Sequence, residues 1–299
     1  MVYVEVFGSI PKDLHPSKVA RAALFVGQSL VCALRHLRYQ DRRRVLWIDA
    51  ICINQADDNE RSLQVQRMGQ IYSLASRVIV WLGLETESTA LALSTLATLA
   101  KQIEVSNDSW DFRSPEATKR DWWDRSHALP FNDEIWQVLT ALLDRPWFRR
   151  VWTMQEIGKA NPLSVFRWGR QEMSYYSFRR AVILLFGKRG APDELAIPIK
   201  NAYYMVRGER MLSWSQLLSR CRARDCSDPR DKIYGILSLA PPKLACQIRP
   251  QYYQPVAETY KDALLSSIEV WDRLDLLANI VGQGVGSRGY QIGQVATEA

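Results

Sequence analysis

Two short apolar runs, with a helical stretch between them, constrain the fold of this chain more than any other feature. Residues 45–51 read VLWIDAI and residues 77–82 read RVIVWL. Continuous apolar runs of this length predict strands that are buried on both faces, as in a parallel sheet. Between them, residues 60–76 place apolar side chains at helical spacing. The order strand, helix, strand predicts an α/β fold, with a parallel sheet flanked by helices.

The helix predicted between these runs has a clear start signal and an apolar stripe. Asp57 stands three residues before Glu60, which is the spacing of a variant capping box. Five side chains form the predicted stripe that faces the core: Leu63, Met68, Ile71, Tyr72 and Ala75.

The segments on either side extend the pattern. Residues 2–7 (VYVEVF) alternate and predict a first strand, and residues 28–39 predict an amphipathic helix. Residues 132–143 predict another helix, and residues 163–168 another strand. From residue 175 onward the sequence is typical of helices.

These patterns divide the chain into three parts. We expect an α/β domain over residues 1–170, with an irregular insertion at about residues 104–131. A mainly helical region follows over residues 171–282, and the Gly-rich tail over residues 283–299 is predicted to be flexible. The insertion carries three tryptophans: Trp110, Trp122 and Trp123.

Charge and cysteine content narrow the classes of function. The formal net charge is +7, and the excess lies in short, scattered arginine clusters without a recognised nucleic-acid module. We therefore predict no nucleic-acid partner, although such clusters can also attract phosphates. The five cysteines lack C-x-x-C spacing and histidine is scarce, so no metal site is predicted and a reducing compartment is favoured. Neither a signal peptide nor a membrane span is predicted, so we expect a cytoplasmic protein.

Three segments resemble the fungal heterokaryon incompatibility (HET) domain. They are LWIDAICINQ at residues 46–55, the helix and strand over residues 60–83, and RPWFRRVWTMQEI at residues 145–157. DPRDKIYGILSLA at residues 228–240 is similar to a segment often found downstream in the same proteins. The resemblance implies a role in fungal self/non-self recognition and programmed cell death. It also implies that the partners are other incompatibility proteins or further copies of the chain.

The HET domain is in turn similar to the TIR domain, which implies a TIR-like, flavodoxin-like sheet. TIR domains that cleave NAD carry a tryptophan and, four residues later, a catalytic glutamate. Trp152 and Glu156 have that spacing, and residues four apart share one face of a helix. The resemblance therefore implies that Glu156 is catalytic and that Trp152 binds the substrate. NAD would be the substrate, cleaved at its nicotinamide–ribose bond, and no cofactor is expected.

Five further residues are candidate substrate ligands. Parallel α/β sheets bind ligands at the carboxyl ends of their strands, which is where the sequence places Asp49, Asn54 and Gln55. Arg149 and Arg150 could bind a diphosphate, because guanidinium groups match phosphate oxygens.

Several of these candidates also have a purely structural interpretation. Glu156 could form an ion pair with Arg149 or Arg150 on a helix surface. Asp49 could accept hydrogen bonds from backbone amides of the next loop, and Asn54 could cap a turn. The function likewise has an alternative, a non-catalytic signalling module that acts by self-association and partner recruitment. The exposed tryptophans of the insertion would suit its contact surface.

Overall fold

The structure is a computed structural model that describes residues 26–106, 109–207 and 212–271. The predicted first strand, residues 2–7, and the predicted tail, residues 283–299, lie outside the described residues.

Helices dominate the described part of the chain. It contains α1 (Gln28–Leu37), α2 (Asp49–Cys52), α3 (Asp58–Leu74), α4 (Thr89–Ala100), α5 (Asp133–Leu143), α6 (Thr153–Gly158), α7 (Tyr175–Gly187), α8 (Asp193–Val206), α9 (Trp214–Arg222), α10 (Asp231–Tyr234), α11 (Pro242–Ala245) and α12 (Val256–Trp271). Short 3-10 turns lie at Pro146–Arg149 and Leu237–Leu239. The prediction of a mainly helical sequence after residue 175 is confirmed for the described residues up to 271.

The main sheet is small and mixed. Strands β1 (Ile79–Trp81), β4 (Val165–Trp168) and β5 (Gln171–Ser174) lie in the order β1-β4-β5. The β1–β4 pair is parallel and the β4–β5 pair is antiparallel. The α/β prediction is confirmed, and so are the strands at residues 77–82 and 163–168. The prediction of an all-parallel sheet is wrong for the described residues, because β5 returns beside β4 through a tight turn at Gly169.

The run at residues 45–51 was predicted to be a buried strand, and this prediction is wrong. Residues 45–48 belong to neither described sheet, Val45 is 67% exposed, and Asp49 begins α2. Trp47 packs edge-on against Tyr72 of α3, with their ring centroids 5.9 Å apart. The run therefore buries its apolar side chains in part against a helix, and it gains no strand partner.

Helix α3 begins where its start signal lies. The Asp57 carboxylate accepts hydrogen bonds from the backbone amides of Asn59 (2.9 Å) and Glu60 (3.1 Å). Glu60 does not complete the capping box, because its carboxylate accepts the amide of Asn54 instead (3.1 Å). Leu63 was predicted to face the core and is 56% exposed, so this part of the stripe is wrong.

One hydrophobic core extends across residue 170. Helix α4 packs against α5 and α7, and Leu96 and Leu99 of α4 are fully buried. Phe166 of β4 and Phe178 of α7 are also fully buried, and their ring centroids are 4.1 Å apart. The division into domains remains a prediction. None of the helices in the described ranges is both long and apolar enough to cross a membrane.

The predicted insertion is more ordered than its composition suggests. It contains an antiparallel hairpin of β2 (Ile103–Ser106) and β3 (Ser109–Arg113). Trp122 was predicted to be exposed but is 8% exposed, because it packs edge-on against Phe131. Trp123 is 44% exposed, as predicted. The side chain of Trp110 lies outside the described residues.

Candidate functional site

The segment that carries Glu156 is held at the carboxyl end of β1. The guanidinium of Arg145 donates to the carbonyl of Leu84, 3.2 Å away, and to that of Leu82, just beyond the strand. Pro146 then starts the 3-10 turn, since its fixed φ suits a first helical position. The Thr153 hydroxyl lies 2.7 Å from the carbonyl of Arg150, which joins the turn to the start of α6. These contacts hold the turn before α6 close to the end of β1, and parallel α/β sheets usually bind ligands at such strand ends.

The carboxyl group of Glu156 is desolvated and receives an indole hydrogen bond. The residue is partly exposed, and its Oε2 accepts a hydrogen bond from Nε1 of Trp147 at 3.3 Å. Burial of the carboxyl group raises the pKa of Glu156 to about 7; Arg150 lowers it, Asp49 raises it, and the Trp147 hydrogen bond lowers it. Glu156 therefore populates both its protonated and its ionised form near neutral pH.

Asp49 and Tyr72 lie close enough to Glu156 for the three groups to interact electrostatically. Burial raises the pKa of Tyr72 well above its ordinary value, and the carboxylates of Glu156 and Asp49 raise it further, while Arg150 lowers it. We call Asp49, Tyr72, Arg150 and Glu156 the carboxylate cluster. It brings together residues from α2, α3, α6 and the turn before α6. Tyr72 was predicted only as a core residue, and its place here follows from the packing of α3 on α6.

Through its indole nitrogen, Trp152 binds a carboxylate other than that of Glu156. Its Nε1 donates to Oδ2 of Asp231 at 3.0 Å. Asp231 is 3% exposed and also accepts the Tyr252 hydroxyl at 2.6 Å. Burial raises the pKa of Asp231, and the hydrogen bonds from Tyr252 and Trp152 lower it. The indole of Trp152 therefore binds the carboxylate of a downstream segment, and the indole that binds Glu156 is that of Trp147.

The two adjacent arginines have different surroundings. Arg149 forms salt bridges with Asp144 at 3.1 Å and with Asp225 at 3.6 Å. Arg150 is exposed, and its charge acts on Glu156. Of the two, Arg150 is the arginine of the carboxylate cluster.

Asn54 and Gln55 shape the loop between α2 and α3. The side-chain oxygen of Asn54 accepts the amide of Ala56 at 3.2 Å, so Asn54 caps a turn. Gln55 donates from Nε2 to the backbone carbonyl of Asp49 at 3.3 Å. The Asp49 carboxylate accepts the neighbouring amide of Ala50 at 2.7 Å. Both exposed amide side chains thus help to define the backbone around Asp49.

The segment at residues 228–240 is tied to α3 and to the loop before α12. The guanidinium of Arg230 donates two hydrogen bonds to the Asp228 carboxylate, at 3.0 Å and 2.8 Å. The guanidinium of Arg61 lies 3.4 Å from the Asp228 carboxylate and 3.4 Å from the centroid of the Tyr252 ring. Sequence reasoning identified the motif but not this network, which joins residues far apart in the chain.

Comparison with known proteins gives two matches. Residues 10–156 match the family described as heterokaryon incompatibility protein (HET), so the matched region ends at Glu156. The chain is also similar to heterokaryon incompatibility protein 6, OR allele, of Neurospora crassa. The two are 28% identical over 269 residues, which cover 75% of this chain and 39% of the relative. The chain therefore spans well under half the length of that relative. No solved structure matches.

Proposed function

We propose that this chain belongs to the heterokaryon incompatibility (HET) family, to which residues 10–156 are similar, and that it acts in heterokaryon incompatibility as a cell-death effector that cleaves NAD. The family match and the Neurospora crassa relative support the incompatibility role. The TIR-like relationship and the NAD-cleaving activity are the further parts of this proposal. The parallel β1–β4 pair, with Arg145 bound at the carboxyl end of β1, is compatible with both.

The observation that carries the enzymatic part is the position of Glu156 beside Asp49 and Arg150. A carboxyl group with a pKa of about 7 can hold or release a proton at neutral pH. Two carboxylates and a cation in one partly desolvated place resemble the arrangement that cleaves glycosidic bonds.

The reaction would break the bond between C1′ of the ribose and the nicotinamide nitrogen. The bond's electron pair leaves with nicotinamide, which becomes neutral, and C1′ gains oxocarbenium character. Ionised Glu156 stabilises this positive charge at close range. Water then adds to C1′ and releases a proton, which gives ADP-ribose, nicotinamide and H⁺ from NAD⁺ and water.

The remaining candidates would orient the substrate. Arg150 would contact the diphosphate; its exposed side chain and the action of its charge on Glu156 support this role. Asp49 would bind ribose hydroxyls, and Asn54 and Gln55 would support its loop. Trp152 and Arg149 would act indirectly, through Asp231 and through Asp144 and Asp225.

Release of nicotinamide by the purified chain tests this proposal. Glu156→Gln should lower the rate of NAD cleavage about 100-fold or more, because it removes the charge and keeps the shape. Glu87→Gln is the matched control, since Glu87 is an exposed glutamate of the loop before α4, and it should retain the full rate. Expression of the same variants in a fungal host, with growth and cellular NAD followed together, links the chemistry to cell death. A folded wild-type chain that releases no nicotinamide would refute the enzymatic part.

One observation favours the alternative of a non-catalytic module that self-associates. Leu74 is 83% exposed and Leu163 is 71% exposed, and Asn161 joins their segments by donating to the carbonyls of Ala75 and Ser76. A second copy of the chain could cover such apolar side chains. Under this alternative, Glu156→Gln leaves cell death unchanged, whereas Leu74→Lys with Leu163→Lys abolishes it.

A further inference from the structure

We propose that Trp147 is a positioning residue, whose indole N–H holds the carboxyl group of Glu156 in one orientation and in its ionised form. This inference rests on the proposed function, since it concerns the residue that would stabilise the reacting ribose. The sequence pattern pairs Glu156 with Trp152, four residues away, whereas the structure places the indole of Trp147, nine residues away, within hydrogen-bonding distance.

The indole of Trp147 is fixed by its neighbours. Its ring packs edge-on against Phe148, at 5.2 Å between centroids, and against Phe166, at 5.6 Å. Phe148 and Phe166 are fully buried. The backbone carbonyl of Trp147 also lies 3.1 Å from the Thr153 hydroxyl. A donor held in this way presents its N–H to Glu156 in a constant direction, as a preorganised site requires.

The chemistry of the indole selects the ionised carboxylate. An indole nitrogen can only donate a hydrogen bond, and a donor binds a charged acceptor more strongly than a neutral one. Burial and the charge of Asp49 both favour the protonated form of Glu156, and the neighbouring Tyr72 hydroxyl is itself desolvated. The groups that oppose them are Arg150 and the indole of Trp147.

The other elements packed on α6 leave this balance unchanged. Helix α8 and the Leu237–Leu239 turn also contact α6, and no described charged group on either acts on Glu156. The Leu237–Leu239 turn meets α6 through a neutral hydrogen bond, from Ser238 to Gln155. Among the described groups that lower the pKa of Glu156, Trp147 is therefore the neutral one, beside the charged Arg150.

Titration of Glu156 in Trp147→Phe tests the proposal. The substitution keeps an aromatic ring and removes the N–H. Carbon NMR of labelled glutamate carboxyl groups, with the Glu156 signal assigned by its loss in Glu156→Gln, should show the midpoint rising by about one pH unit. Trp152→Phe is the matched control, because it removes the indole N–H that binds Asp231, and it should leave the Glu156 midpoint in place. An unchanged midpoint in folded Trp147→Phe overturns the proposal.

A measurement on the unsubstituted chain covers the case in which Trp147→Phe fails to fold. The proton resonance of the Trp147 indole N–H should shift with pH, with a midpoint at about 7. This shift should vanish in Glu156→Gln. An indole resonance that does not respond to pH in the wild type contradicts the hydrogen bond.

Activity then separates the two proposals. Trp147→Phe should move the acid limb of NAD cleavage upward by the same amount as the NMR midpoint, while the rate at high pH changes little. If the folded wild type releases no nicotinamide, the proposed NAD cleavage fails, and if Glu156→Gln cleaves NAD at the full rate, the role of Glu156 in it fails. The NMR titrations still decide whether Trp147 controls the charge of Glu156.

Discussion

The backbone of Gly69 in α3 lies so close to Ser238 that a Cβ atom at position 69 would be 2.4 Å from the Ser238 Cβ. The hydroxyl of Ser238 also donates to Oε1 of Gln155 at 2.9 Å. Ser238 therefore contacts α3 and α6 together, and these two helices carry Tyr72 and Glu156. The absence of a side chain at Gly69 is what allows the downstream segment to reach both helices.

Gly69→Ala should destabilise the fold, although alanine is the better helix former. The added methyl group collides with the Ser238 side chain, and relieving such overpacking typically costs about 1–3 kcal/mol. The gain in helix propensity offsets about 1 kcal/mol of this. Chemical denaturation should thus show a lower free energy of unfolding. Gly27→Ala is the control, because no atom of the described residues lies within 4 Å of a Cβ there; equal stability of both variants would contradict the close contact.

Gly169→Ala should also be destabilising, for two separate reasons. Gly169 has a φ of +52°, which side chains other than glycine rarely adopt, and its Cβ would overlap the carboxylate of Glu85. The expected loss is roughly 1–3 kcal/mol in thermal or chemical unfolding. In a Glu85→Ala background the collision disappears and the strain remains, so a smaller loss is expected there. An identical loss in both backgrounds would show that Glu85 plays no part.

Tyr252→Phe should weaken the attachment of the downstream segment. The Tyr252 hydroxyl donates to buried Asp231 at 2.6 Å, and removing one partner of a buried carboxylate costs about 1–3 kcal/mol. Tyr253→Phe is the matched control at the next position, because Tyr253 is 66% exposed. Differential scanning calorimetry should show a lower Tm for Tyr252→Phe and an unchanged Tm for Tyr253→Phe. The reverse order would exclude the assigned hydrogen bond.

The stability of the chain should fall as pH rises from about 5 to about 8. The pKa of Glu156 is raised in the folded state from 4.5 to about 7. Between these values the folded chain keeps a proton that the unfolded chain releases, so its stabilising contribution is complete at low pH and is lost with rising pH. In the wild type, this loss lowers the free energy of unfolding by roughly 2 kcal/mol between pH 5 and pH 8. Glu156→Gln should abolish it. Parallel pH profiles of wild type and variant would contradict the buried carboxyl group.

NAD cleavage should depend on pH in the opposite direction. Because ionised Glu156 stabilises the oxocarbenium-like centre, the rate should increase as pH rises through about 7. Steady-state nicotinamide release at saturating NAD, measured between pH 5 and pH 9, checks this expectation. A rate that falls across this range would assign Glu156 the role of a general acid.

Local signals predicted the elements but not their long-range partners. The strand at residues 77–82 and the cap at Asp57 depend on neighbouring residues, and both are observed. The strand prediction for residues 45–51 is wrong because an apolar segment has the same sequence pattern whether it packs in a sheet or against a helix. The tight turn at Gly169, which makes the sheet mixed, gave no periodic signal.

The candidate site shows the same division. Glu156 was identified from its spacing to Trp152, and the structure adds that the charge of Asp49 acts on it. The donor to Glu156 is Trp147, which lies in the 3-10 turn before α6. Helical spacing relates residues of one helix and therefore could not identify this pair. Trp152 instead binds Asp231, 79 residues downstream, and no single-sequence pattern encodes such a separation.

The parallel partner of β1 has a practical consequence for work on related chains. The family match ends at residue 156, whereas β4 begins at Val165. A gene fragment cut at the boundary of sequence similarity would encode β1 without the neighbour that completes its ladder, and would leave Trp152 without its carboxylate acceptor. Such a fragment should aggregate when it is produced. In a toxicity screen based on it, the outcome would reflect misfolding and not incompatibility. Boundaries drawn from the packing, through at least residue 271, avoid that artefact.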